Sequence, residues 1–117
     1  MWRILFGIVA IVLIAGCSSN PVESPAPERF VGEIYWHWCE LESTGLATIS
    51  VRVWGDEDLH PTCTSLQERQ LRVSPYGYNC YPTDDGNWAY QWEYIECQAG
   101  DQFVVDTGYD SATYTLQ

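Results

Sequence analysis

The sequence predicts a mainly β fold: a small antiparallel sandwich or barrel of about five or more strands, stapled by two disulfides. Three observations lead there. Apolar residues in the body of the chain recur mostly with a period of two, the spacing of a half-buried strand. Gly, Asp and Asn clusters punctuate those runs, and only one segment hints at a helix. Four cysteines, Cys39, Cys63, Cys80 and Cys97, spread through the same region at spacings of 24, 17 and 17, without a CxxC pair. At 117 residues the chain holds one domain, and 15% aromatics with 18% charged residues separate it from disordered chains and coiled coils.

The elements follow in chain order. Residues 1–3 are short and carry Arg3, and residues 4–16 (ILFGIVAIVLIAG) run without a polar side chain. Thirteen apolar residues fall short of the ~20 that a spanning helix needs, and they fit the apolar core of an export signal. The run ends in Ile14-Ala15-Gly16-Cys17, followed by Ser18-Ser19. These residues resemble the lipobox of bacterial lipoproteins. The resemblance implies cleavage after Gly16 and a diacylglyceryl thioether with an acylated N-terminus on Cys17, so the chain would be lipid-anchored in the bacterial cell envelope. By analogy with enteric lipoproteins, Ser18 in place of aspartate favours the outer membrane where there is one. The resemblance covers the signal alone.

Residues 17–28 hold the lipidated Cys17 and a Pro/Ser-rich segment (SSNPVESPAPE) with no hydrophobic period, which reads as a flexible tether. The folded domain then spans 29–117. Residues 32–41 (GEIYWHWCEL) are apolar on both faces and so read as a central strand covered on both sides, with Trp36 and Trp38 in the core. Ala47, Ile49, Val51 and Val53 alternate with Thr48, Ser50 and Arg52, and the strand stops at Gly55. Residues 64–73 are the helical candidate, with Thr64–Gln67 or Ser65–Glu68 as a capping box, although Leu66, Leu71 and Val73 fit one face poorly. Asp84-Asp85-Gly86-Asn87 is a turn, after which residues 88–97 alternate again. Residues 103–105 and 112–116 complete five strands, with turns at Gly100-Asp101 and Gly108.

An even set of four cysteines in an exported chain reads as two disulfides, and the pairing 39–97 with 63–80 is preferred among three possibilities. Cys39, Trp54 and Cys97 fall in the order of an immunoglobulin-like sandwich. The position two before the second cysteine is Ile95, however, and Tyr94 lies one place off, so that topology is the minor alternative.

Five arginines, no lysine and sixteen acidic residues give a net charge of −11. Loss of the signal removes Arg3 and takes the mature chain to −12. Such a chain cannot build the basic face that nucleic acid or an anionic lipid patch demands. The strongest recognition feature is the stripe Trp88-Tyr90-Trp92-Tyr94, four aromatics on one strand face at roughly 6.6–6.8 Å intervals. It reads either as core or as an exposed platform for a glycan or protein ligand. Trp54, on the polar face of its strand beside Gly55, is the best single exposed aromatic, and Tyr76, Tyr78 and Tyr81 form a Pro/Gly-flanked loop.

Asp56-Glu57-Asp58 with His60 has alternating carboxylates but a proline where a calcium loop has glycine, so it reads as a solvated acidic loop. Asp106-Thr107-Gly108 imitates an aspartic-protease signature, yet Tyr109 and the short tail disqualify it. No GxSxG, phosphate-binding loop or metal-ligand spacing is present. The sequence therefore reads as a non-enzymatic lipoprotein that presents an acidic, aromatic-rich β domain for binding, with no cofactor or metal implied. Its alternatives are an inhibitor of a cationic envelope enzyme such as lysozyme, and a structural or assembly lipoprotein docking on an outer-membrane partner.

Overall fold

The structure, a computed structural model, describes residues 22–23, 28–72 and 78–117. Among them are eight strands and no helix: β1 (Val22–Glu23), β2 (Ile34–Leu41), β3 (Ala47–Val53), β4 (Thr62–Ser65), β5 (Tyr78–Pro82), β6 (Trp88–Tyr94), β7 (Gln102–Asp106) and β8 (Ser111–Thr115). They form two antiparallel sheets, ordered β1-β2-β3-β6-β5 and β4-β7-β8. The alternation in β3 decides the inside. Ala47, Ile49, Val51 and Val53 are almost wholly buried, and across the ladder they face Tyr94, Trp92, Tyr90 and Trp88 of β6. Phe103, Val105, Tyr114 and Leu116 of the smaller sheet and its C-terminal flank close the same core, with the rings of Tyr94 and Phe103 4.8 Å apart.

Several expectations are corrected here. The 64–73 helix does not form. The Ser65 hydroxyl accepts from the Arg69 amide at 2.9 Å, four residues on rather than the two or three of a helix cap, and Glu68 at φ +59° breaks the turn. Residues 70–72 instead bond to the end of β6, through Ile95 N to Gln70 O and Arg72 N to Glu93 O. Val73 lies outside the described residues. Two short strands, β4 and β5, join the five expected ones, and Val22–Glu23 of the tether pair with Trp36 and His37 at the edge of the larger sheet.

Trp36 and Trp38 are not core. They lie on the outer face, opposite Arg52 and Ser50, and are half-buried. The cause is a bulge between Ile34 and Trp36 that sets Tyr35 and Trp36 together opposite one residue of β3.

The expected disulfides 39–97 and 63–80 are not formed: Cys63, Cys80 and Cys97 are free thiols, and no disulfide joins two described residues. Cys63 belongs to the smaller sheet and Cys80 to the edge of the larger one. Cys39 sits inside β2 opposite Ile49, whereas Cys97 lies past β6, its amide bonded to Gly45 at the β2–β3 turn. A bridge requires Cα atoms within about 7 Å and converging Cβ vectors. Without that bridge, and with Trp54 exposed rather than packed on it, the immunoglobulin signature is absent.

Candidate functional site

The aromatic stripe is core, not platform. Tyr90, Trp92 and Tyr94 are 1%, 4% and 4% exposed, and Trp88 is half-buried against the same cluster. Their face of β6 meets the smaller sheet, so no ligand reaches it. The Tyr94 hydroxyl donates to Cys63 O at 2.8 Å, and burial pushes its phenol well above the ordinary range. Tyr78 is partly exposed at the sheet edge, but its ring leans on Trp92 at 5.5 Å, on the core side. Tyr76 lies outside the described residues, as does Cys17.

Trp54 is exposed, as its place beside Gly55 implied. It belongs to a cluster that the sequence did not reveal. The bulge in β2 places Tyr35 away from the core between the sheets, where it is buried at 5% exposure, its ring edge-on to Trp54 with centroids 5.5 Å apart, and the Arg29 guanidinium sits 5.0 Å from Tyr35 and 5.6 Å from Trp54. The Tyr35 hydroxyl donates to Asp85 at 3.0 Å, which ties the cluster to the 83–87 turn. That turn is held from within. The Thr83 hydroxyl donates to Asp85, the Asn87 amide donates to Thr83 and Asp85, and Asn87 Oδ1 accepts from Gly55 N at 2.8 Å. The Thr83 bond, with those from Tyr35 and Asn87, holds the Asp85 carboxyl down to about 2 against the opposing effect of desolvation. Burial and the Asp85 carboxylate push the Tyr35 phenol up.

Beside this cluster lies an open cleft of about 390 Å³ lined by Arg52, Tyr81, Pro82, Thr83, Asp84 and Asp85. Its origin is legible in the register. One row across the outer face reads Trp36, Arg52, Ala89, Tyr81, from β2 to β5. Arg52 and Tyr81 flank the buried Ala89 in that row, and both line the cleft together with Pro82 and the Thr83–Asp85 turn. The Arg52 guanidinium lies 4.8 Å over the Trp36 ring. Arg29, Arg69 and Arg72 pair with Glu33, Asp101 and Glu93, whereas Arg52 has no carboxylate partner among the described residues. The cleft thus holds the Arg52 guanidinium, a half-exposed Tyr81 ring and two carboxylates.

The remaining candidates are structural. Asp58 accepts from the Tyr90 hydroxyl at 3.0 Å and from the His60 amide at 2.9 Å. Desolvation opposes its ionisation, but these bonds hold it below the ordinary carboxylate range. Thr107 Oγ1 donates to Gly32 O at 2.6 Å, and Gly108 N donates to Asp106, so the protease-like triplet is a turn that welds β7–β8 to the start of the domain. Burial first of all pushes Cys63 to about 12 and Cys80 and Cys97 to about 11, so these thiols stay protonated near neutrality and are poor nucleophiles.

No protein-family model, no curated protein and no solved structure gives a significant match to this chain.

Proposed function

We propose that this chain is a lipid-anchored, non-enzymatic binding protein of the bacterial cell envelope, with the exposed Trp54, backed by the buried Tyr35 and by Arg29, and the adjoining cleft as its recognition surface. The observation that carries the reading is the convergence at one end of the domain of an exposed tryptophan, an arginine that forms no salt bridge among the described residues and an exposed tyrosine beside a hydrogen-bonded turn. Functional surfaces commonly consist of such groups carried by loops on a firm scaffold. The lipobox-like residues 14–17 supply the anchoring half. With β1 docked on the sheet, five peptide steps separate Cys17 from Val22, a reach of at most about 18 Å.

The test has two parts. Mass spectrometry of the membrane-extracted chain should find a diacylated, N-acylated Cys17 at the mature N-terminus, and Cys17→Ala should release the protein from membranes. Trp54→Ala with Tyr81→Ala should then lower retention of the protein on purified envelope material while leaving its circular dichroism unchanged. Retention equal to wild type refutes the recognition surface.

A second reading, capture of a cationic envelope enzyme, is supported by Asp56, Glu57, Asp58, Asp84 and Asp85, which flank the same end. Charge-steered capture weakens steeply between low and physiological salt, whereas aromatic stacking does not. Docking on an outer-membrane partner finds its support in Phe30, Val31 and Tyr109, exposed apolar residues gathered around Gly32 and Gly55.

A further inference from the structure

The geometry points to a neutral saccharide as the ligand of the Arg52–Tyr81 cleft; this deepens the binding reading above and rests on it. A sugar ring presents two kinds of surface at once, C–H faces that stack on aromatic rings and hydroxyls that both donate and accept hydrogen bonds. A site for it therefore needs an aromatic face with donors and acceptors at its rim. The cleft has each. Tyr81 is 50% exposed, shares the outer-face row with Arg52, and lines the cleft with it. Arg52 supplies donors and no acceptor, and its planar group is oriented by the Trp36 ring beneath it. Asp84, exposed on the turn, supplies acceptors. Asp85 is already engaged by Thr83, Asn87 and Tyr35 and acts as the brace that sets the turn. At about 390 Å³ the cleft lies within the range of small-ligand sites, roughly 300–1,000 Å³.

Charge narrows the ligand class. An anionic ligand would meet two carboxylates in the cleft and a mature chain of net charge −12. A cationic one would be drawn by Asp84 and Asp85 but opposed at short range by the Arg52 guanidinium. An apolar one would strip water from Arg52 and Asp84 without replacing their hydrogen bonds. A neutral polyhydroxylated ring suits all three groups.

The experiment uses the full mature chain in detergent, titrated calorimetrically with three neutral trisaccharides (N-acetylglucosamine trimer, cellotriose and maltotriose) and with trigalacturonate as the anionic comparison. At least one neutral trisaccharide should bind saturably, with affinity lowered about tenfold by Tyr81→Ala or Arg52→Gln and unaffected by Tyr109→Ser, an exposed tyrosine outside the cleft. Asp84→Asn, on the exposed turn, provides a variant that leaves the sheet untouched and should weaken binding in the same direction. Absence of binding by all three neutral sugars overturns the inference. So does binding that survives the Tyr81, Arg52 and Asp84 changes, or trigalacturonate binding as tightly. Anchoring is read separately, by mass and membrane partition. A soluble, unacylated chain that still binds sugar refutes the anchor and keeps the cleft, and an acylated chain that binds none refutes the cleft alone.

Discussion

His37 offers the sharpest test of the packing. Its ring lies on the core face of β2, 4.4 Å from the Tyr114 ring of β8 and inclined to it by 28°, so it bridges the two sheets. Nε2 is buried and has no hydrogen-bond partner among the described residues. An unsatisfied buried polar atom costs about 1–3 kcal/mol. His37→Phe keeps the aromatic stack, removes that atom and should stabilise the domain by about 1 kcal/mol, the low end because the residue as a whole is only half-buried. Burial also lowers the His37 pKa from its ordinary value of 6.5. The unfolded chain therefore binds the proton first as pH falls. Wild-type stability should decline from about pH 6.5 downward until the folded-state pKa is reached, and the phenylalanine variant should lack that component. Urea denaturation at pH 7.5 and pH 5.5 measures both effects. A variant no more stable than wild type, or one with the same loss between the two pH values, refutes the argument that an unpaired, neutral imidazole sits between the sheets.

Other outcomes follow from the same structure. Three thiols, Cys63, Cys80 and Cys97, should react with a disulfide reagent in denaturant without prior reduction and only slowly in the folded protein at pH 7.5; a 2 Da mass deficit traced to any pair of them would restore a bridge. Tyr35→Phe should raise the Asp85 pKa from about 2, followed by carboxyl chemical shifts against pH, because a hydrogen-bond donor to the carboxylate is lost. Gly32→Ala places a Cβ 2.7 Å from the Tyr109 side chain at φ +94°, and should cost about 1–3 kcal/mol in chemical denaturation, with Tyr109→Ala recovering only the steric part. Ile49→Ala, at a fully buried position in the middle of β3, should cost about 2–5 kcal/mol.

How far the sequence led depended on whether a feature was local. The alternation of Ala47 to Val53 and of Trp88 to Tyr94 was readable because each strand's period of two reflects one buried and one less buried face. The same pattern could not say which chemistry was buried on β6. An aromatic stripe has one spacing whether it faces solvent or a second sheet, and here β4-β7-β8 covers it. Trp36 and Trp38 failed in the opposite direction. A strand apolar on both faces implied two covered sides, but the bulge at Tyr35 shifts the register and leaves both rings on the outer face. The 64–73 segment carries the residue types of a capping box, yet such residues start a helix only where an apolar face exists to hold it, and Ser65 instead ends β4.

By itself, the sequence determined the positions of β2, β3, β6, β7 and β8, the turns at Gly86 and Gly108, the acidity and the exposed Trp54 beside Gly55, because these depend on neighbours a few residues apart. Only the tertiary structure decided that Cys63, Cys80 and Cys97 remain free, that the β6 aromatics are core, and that Tyr35, Arg52, Tyr81, Asp84 and Asp85 meet at one end. Those residues come from β2, β3, β5 and the turn that follows it, and their meeting is a property of register. Arg52 and Tyr81 line one cleft only because the ladder sets them in the same row, on the same face, either side of Ala89. Slipping the pairing by one residue would turn each of those side chains to the other face of the sheet.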